Sequence, residues 1–145
     1  MHEGIEVILR GGQFKRLIEL TIHEIRKRTG LKRVEVEILY FLHNSNEKNT
    51  MKDICHYMQM NKGHISIALD GLCKKGYVTQ NHDAEDRRYI HYHLTDSSNE
   101  IVEQIEIEWN KMMFRLAKGV SEEELEQFKR VANKIGNNIE EVLKE

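Results

Sequence analysis

Proline is absent from all 145 residues, and with it the commonest cause of helix kinks and stiff linkers. Only two cysteines occur, Cys55 and Cys73, too few for a disulfide framework, so the thiols are read as reduced and the chain as cytosolic. No apolar run approaches the roughly 20 residues of a membrane span, and nothing at the N-terminus resembles a signal peptide. A strong charge of one sign is also missing: the formal net charge is -2, which excludes a strongly basic protein. No nucleophile elbow, P-loop or dinucleotide fingerprint occurs, and Cys and His lack ordered catalytic spacing, so an enzyme is not expected. What remains is 39% hydrophobic residues, enough at this length for one domain with a core and not for two.

Charge is unevenly spread. From Lys48 to His93 there are seven Lys/Arg against five acids, whereas from Glu100 to the end there are eleven acids against seven bases. The middle of the chain therefore faces phosphate better than the tail does. That middle contains the most informative stretch, Asn61 to Thr95. Ile65, Ala68, Leu69 and Leu72 fall at the i, i+3, i+4, i+7 spacing of a buried helical face. Asn61 suits the N-cap, Lys74 and Lys75 complement the dipole at the far end, and Gly76 suits the left-handed residue after it. The period then drops to two. Tyr77-Val78-Thr79 leads out, and Ile90, Tyr92 and Leu94 alternate on the way back around an Asn81–Asp86 loop and Arg87-Arg88. A helix followed at once by a basic-tipped hairpin is a winged-helix pattern, expected in a DNA reader or a descendant of one.

Upstream, Ile5 to Arg28 is expected to be helical, with Gly11-Gly12 a weak point that bends it or frees a pliable arm. Arg26-Lys27-Arg28 and Lys32-Arg33 form either a solvated helix end or a phosphate clamp. A second helix is expected from Leu31 or Lys32 to Leu42, then a polar loop from Asn44 to Asn49. Thr50 and Asp53 have capping-box spacing for a short helix, Met51 to Tyr57. Short helix, tight turn and second helix make a helix-turn-helix. After the hairpin, Thr95 or Asp96 opens a long helix to about Lys118 that carries Ile101, Val102, Ile105, Trp109 and Met112. Ser121 and Glu124 cap a last helix with Leu125, Phe128, Val131, Ala132, Ile135, Ile139, Val142 and Leu143 on one face. This is more apolar surface than a small helical core can cover, which points to burial against a second copy of the chain.

The ending Leu72-Cys73-Lys74-Lys75-Gly76-Tyr77-Val78, then Asp86-Arg87-Arg88, then Leu94-Thr95 opening a long helix, resembles the multiple-antibiotic-resistance regulator (MarR) family. The resemblance covers nearly the whole chain and implies a mostly α fold with a small β-hairpin wing. It assigns residues 31–95 to a winged helix-turn-helix and 1–30 and 96–145 to dimerisation helices of a single domain. It implies a cytoplasmic homodimeric regulator, most simply a ligand-responsive repressor, on a pseudo-palindromic double-stranded operator with A·T-rich flanks. The alternatives are a winged-helix dimer that scaffolds proteins without DNA, and a metal-responsive regulator.

Site residues follow. Asn61, Lys62, His64, Ser66 and Ile67 lie outward on the first two turns of the recognition helix. Lys62 and His64 can donate to phosphate or guanine, and Asn61 and Ser66 can bond backbone or base edges. Ile67 stands where many MarR members carry an arginine, so it is expected to touch a thymine methyl; Gly71 likewise replaces a polar residue. Asp86-x-Arg88 matches the family's Asp-x-Arg, in which the arginine enters the minor groove and the aspartate braces it. Arg87 is expected to meet phosphate. A surface salt bridge is the plainer reading of Asp86 and Arg88.

His91 and His93 sit i, i+2 on one strand face, with His82 placed opposite across the hairpin. Three such imidazoles could take zinc, yet no cysteine stands at ligand spacing, and no metal or other cofactor is expected. Cys55 is read as core. Cys73 lies beside Lys74 and Lys75, which can lower a thiol pKa, against the plainer reading of a small helical residue. Phe14, Tyr40, Trp109, Met112 and Met113 could line a pocket for a small apolar or aromatic effector, or could simply be core.

Overall fold

The computed structural model describes residues 11–144. In chain order they form α1 (Gly12–Thr29), α2 (Arg33–Asn44), α3 (Met51–Met58), α4 (Lys62–Lys74), β1 (Val78–His82), β2 (Ile90–Leu94), a 3-10 turn (Asp96–Ser98), α5 (Asn99–Leu116) and α6 (Glu122–Val142). The fold is mostly helical with one antiparallel hairpin. Two compact units divide after Trp109, within α5.

The described part of α1 starts at the expected weak point, Gly11-Gly12; Ile5, Ile8, Leu9 and the arm they would form lie outside the described residues. The helix ends because Gly30 takes a left-handed φ of 69°, which lets its N–H reach the Arg26 carbonyl. α2 starts one or two residues later than the expected Lys32 or Leu31. The Glu35 carboxylate accepts the Lys32 backbone N–H at 2.8 Å, which makes Lys32 the cap. At the other end the Asn44 amide donates to the Tyr40 carbonyl, and the helix runs past Leu42.

α3 opens with the expected reciprocal cap: Asp53 N–H donates to the Thr50 hydroxyl at 3.3 Å, and Thr50 N–H to the Asp53 carboxylate at 3.0 Å. Burial raises the Asp53 pKa, but the bonds from Thr50 outweigh it and hold the carboxyl below its ordinary range. Gln59, at a left-handed φ of 51°, ends α3 and starts the tight turn. Asn61 then accepts the His64 N–H at 3.1 Å and caps α4.

Ile38 and Leu39 of α2, Ile54 of α3, Ile65, Leu69 and Leu72 of α4, and Ile105 of α5 are fully buried. At about 1.5–3 kcal/mol for each large aliphatic side chain removed from water, this cluster dominates the stability of the first unit. The hairpin attaches to it through Val78 and Tyr92. Its register pairs Val78 with Leu94 and His82 with Ile90, so Asn81 and His82 are strand residues rather than loop. The expected loop is shorter because Asp83 N–H bonds the Tyr89 carbonyl and closes the turn there. Asn49 and Thr50 lie along the free edge of β2: Tyr92 N–H donates to the Asn49 carbonyl, and Thr50 forms a bridge with His91. The wing is thereby fastened to the start of α3.

In the second unit, Ser121 accepts the Glu124 N–H and Glu124 accepts the Ser121 N–H at 2.7 Å, as the sequence pattern predicts. No described residue of α6 is buried; Phe128 and Val131 are more than half exposed along the expected apolar face.

Candidate nucleic-acid interface

On α4, Ile65, Ala68, Leu69 and Leu72 face the core, which leaves Lys62, His64 and Ile67 exposed and Ser66 half-buried on the outer surface. Asn61, also exposed, spends its side-chain oxygen on the helix cap. Ile67 is 67% exposed, an apolar side chain held in water in the middle of a polar surface. Lys62 and Ser66 also border a groove shared with Lys52 of α3 and with Arg88, Tyr89 and Ile90 of the wing. Three cations from three elements thus surround one depression.

The wing tip is more ordered than a surface loop need be. Asp83 accepts the backbone N–H groups of Glu85 and Asp86 at 2.8 and 2.9 Å. Asp86 accepts Arg88 Nε at 3.0 Å and Nη2 at 2.8 Å, and the Arg88 backbone N–H as well. This fork fixes the guanidinium plane while the arginine side chain stays 87% exposed. The arginine bond lowers the Asp86 pKa, and two backbone N–H groups, then His91, lower that of Asp83. Both carboxylates are charged at neutral pH, as a brace for a guanidinium requires. Arg87 is exposed beside them.

His82 is placed otherwise than the zinc reading needs. Its cross-strand partner is Ile90, so it lies on the opposite sheet face from His91 and His93, and its Nδ1 donates to the Arg87 carbonyl at 2.9 Å. His91 is engaged by Asn49 and Asp83. Among the described residues no group of three His, Cys, Asp or Glu is arranged to hold a metal ion. Cys55 is half-buried against the core. At Cys73 burial, then Asp70, push the thiol up, so Lys74 and Lys75 do not ease its ionisation.

Lys75 is the clearest case. It reaches across to Glu35, with Nζ 2.7 and 2.8 Å from the two carboxylate oxygens. Glu35 is only 2% exposed, a buried charge on α2 satisfied by this lysine and by the Lys32 N–H. Gly71 makes room for it, since a Cβ there would lie 2.7 Å from Glu35 Oε1. The missing polar residue at position 71 is therefore a packing requirement. Sequence reasoning missed this because a glutamate in a charged stretch carries no sign of burial.

Of the five expected pocket residues, Tyr40 and Trp109 line a cavity of about 390 Å³ with Ile18, Ile22, Tyr57 and Ile105. Their rings lie 5.1 Å apart, tilted by 40°. Arg33, ion-paired with Glu19 and Glu37, stands on the same wall. Phe14 is 55% exposed, Met112 is buried and Met113 is exposed; none of the three contributes to this cavity.

Comparison with known proteins agrees with this geometry. Residues 31–98 match the family described as winged helix DNA-binding domain. The HTH-type transcriptional regulator YkoM of Bacillus subtilis is 25% identical over 123 residues, 83% of this chain and 79% of that protein. MepR of S. aureus in its DNA-binding conformation superposes with a TM-score of 0.79 at 22% identity, covering 93% of this chain and 98% of that one. A MarR-family regulator from Silicibacter pomeroyi gives 0.74 at 22% identity, covering 93% and 94%. Residues 31–98 thus have the winged-helix fold, in a chain whose fold is that of solved MarR-family transcriptional regulators.

Proposed function

We propose that this protein is a homodimeric, ligand-responsive transcriptional regulator, a repressor, that reads double-stranded DNA with α4 in the major groove and Arg88 in the minor groove. The observation that carries the reading is the Asp86–Arg88 fork, which holds a guanidinium flat, charged and almost wholly in water at the tip of a hairpin. A surface ion pair of little energetic value has no need of the Asp83 scaffold beneath it. Arginine so presented suits the narrow, strongly negative minor groove of A·T-rich DNA. Lys62, His64, Ser66 and Ile67 supply the major-groove contacts, with Asn61 capping, and Arg87 meets a phosphate.

The exposed apolar face of α6 supports pairing with a second copy, with residues 1–30 and 96–145 as the dimerisation helices. The pair would present two copies of α4 about 34 Å apart. The Tyr40–Trp109 cavity is within the roughly 300–1,000 Å³ of ligand pockets and suits a small apolar or aromatic effector. An effector that favours one spacing of the two recognition helices lowers operator affinity by shifting the population. Selection of genomic fragments by the purified protein across a salt series tests the reading. Enrichment of a pseudo-palindromic sequence, with affinity falling steeply as salt rises, is expected. No enrichment at low salt would overturn it in favour of a protein scaffold.

A further inference from the structure

His91 on β2 has an oxygen acceptor at each ring nitrogen. Asn49 Oδ1 lies 2.6 Å from Nδ1 and Asp83 Oδ2 lies 3.1 Å from Nε2. The Asn49 amide nitrogen is turned the other way, 3.5 Å from His93 Nδ1, which leaves its oxygen toward His91. A neutral imidazole has one N–H, so only the imidazolium donates to both oxygens at once. The two partners belong to different elements. Asn49 precedes α3 and its carbonyl holds β2, whereas Asp83 is the scaffold of the wing turn. A continuous series of bonds therefore runs from the helix-turn-helix through Asn49, His91 and Asp83 to the Asp86 amide, and from the Asp86 carboxylate to Arg88.

Resting on the DNA-binding reading above, we propose that His91 is a positioning residue for the wing arginine: its protonated ring ties the wing turn to the helix-turn-helix, and proton uptake there tightens the presentation of Arg88 to DNA. Loss of the proton removes the charge from the Asp83 bond, and either breaks the Asn49 contact or turns the Asn49 amide over toward His93. The groups around His91 are consistent with this. Asp83 faces it from the wing turn, His93 stacks beside it at 6.4 Å, and Asn81 is its cross-strand partner. Thr50, bonded to Asp53, faces it from the edge of α3. Among the described residues the carboxylate bonded to it is Asp83, whose lowered pKa keeps it charged across the span in which imidazoles change charge.

Two measurements test the proposal on the full chain, with His91→Gln and Asp83→Asn as variants. The second keeps an oxygen for the Glu85 and Asp86 N–H groups. In the free protein, NMR over about pH 5–8, the span in which imidazoles change charge, should show the Arg88 Nε–H and Asp86 amide signals moving in step with the His91 ring. They should stay flat in both variants. Flat signals in the unsubstituted protein overturn the proposal, whatever the DNA result. On a short A·T-rich duplex at fixed low salt, affinity should rise by about fivefold, the low end of ordinary coupling between sites, as His91 takes up its proton, and that rise should vanish in His91→Gln. An equal rise in the variant assigns the pH dependence to His64, His82 or His93 and overturns it. Absence of duplex binding together with coupled NMR titrations supports the positioning role and defeats the DNA reading instead.

Discussion

At the scale of single residues the proposed DNA reading rests most on the wing arginine. Arg88 bonds to Asp86 in its own turn, and its side chain is 87% exposed. Arg88→Ala should therefore lower DNA affinity at least about tenfold, equivalent to about 1.4 kcal/mol, with the helical circular dichroism unchanged. Undiminished binding in a gel-shift titration would refute the assignment. The same turn makes a statement about acid. Asp83 and Asp86 both have folded pKa values below the ordinary one, Asp83 through backbone N–H groups and His91, Asp86 through Arg88. A lowered folded pKa means that the stabilisation is fully present above the unfolded value, about 3.9 for aspartate, and is lost as pH falls through the folded value. After the step over about pH 5–8 that accompanies His91, the Glu85, Asp86 and Arg88 amide shifts should show a second step on acidification below about pH 4. Movement already complete above pH 5 would contradict the bonding described.

Among elements, the junction of α2 with α4 is the most constrained. Glu35, Gly71 and Lys75 interlock: the carboxylate occupies the space a side chain at 71 would take, and the lysine neutralises it. In an open helix Gly→Ala would gain about 1 kcal/mol of propensity. Here the added methyl meets a side chain bonded to Lys32 and Lys75, and overpacking of that kind costs about 1–3 kcal/mol. Gly71→Ala should lower stability in urea unfolding, and the same substitution in a Glu35→Ala background should lower it less or raise it. Equal effects in both backgrounds would show that the two sites are uncoupled. Asn61→Ala, by contrast, removes one cap bond and should cost about 1 kcal/mol. A much larger loss of DNA affinity than of stability in that variant would show Asn61 contacting DNA as well.

For the molecule as a whole, two properties are open to measurement. α6 leaves Phe128 62% and Val131 54% exposed on one face of a helix with no buried residue. Phe128→Glu should convert a dimer to monomers in analytical ultracentrifugation and weaken DNA binding with it. A variant that stays dimeric would place the partner contact elsewhere. The second property is salt dependence. With a net charge of only -2, the proposed DNA affinity would rest on placed cations rather than on a general field. Each phosphate contact contributes about -0.9 to the slope of log affinity against log salt. Arg87→Ala, acting once in each protomer, should therefore flatten the slope by about 2.

Much of this was legible before any coordinates. Periodicity and caps place α2, α3, α4 and the start of α6 to within about two residues, because core-facing spacing and local caps such as Thr50–Asp53, Asn61 and Ser121–Glu124 are written in neighbouring residues. α5 instead begins at Asn99, after a 3-10 turn at Asp96–Ser98 where the helix start is expected. The Asp86–Arg88 brace was legible for the same reason, since two residues of separation bring the groups together in a turn. Contacts between residues distant in the chain were not. The side of the hairpin that His82 takes depends on where the turn closes, and β1 runs through Asn81 and His82, the first two residues of the expected loop, before Asp83 closes the turn. Lys74 and Lys75 adjoin Cys73 in sequence, yet burial and Asp70 control its thiol, in keeping with the plainer of its two readings. Composition and order thus determined the fold class, the caps and the shape of the wing tip, all of which arise from interactions a few residues long. Only the tertiary structure decided that Glu35 is buried opposite Gly71, that His91 joins Asn49 to Asp83, and that Tyr40 and Trp109 border one cavity. Each of these pairs residues separated by at least eight positions, and such pairs meet through packing, of which a linear pattern carries no local trace.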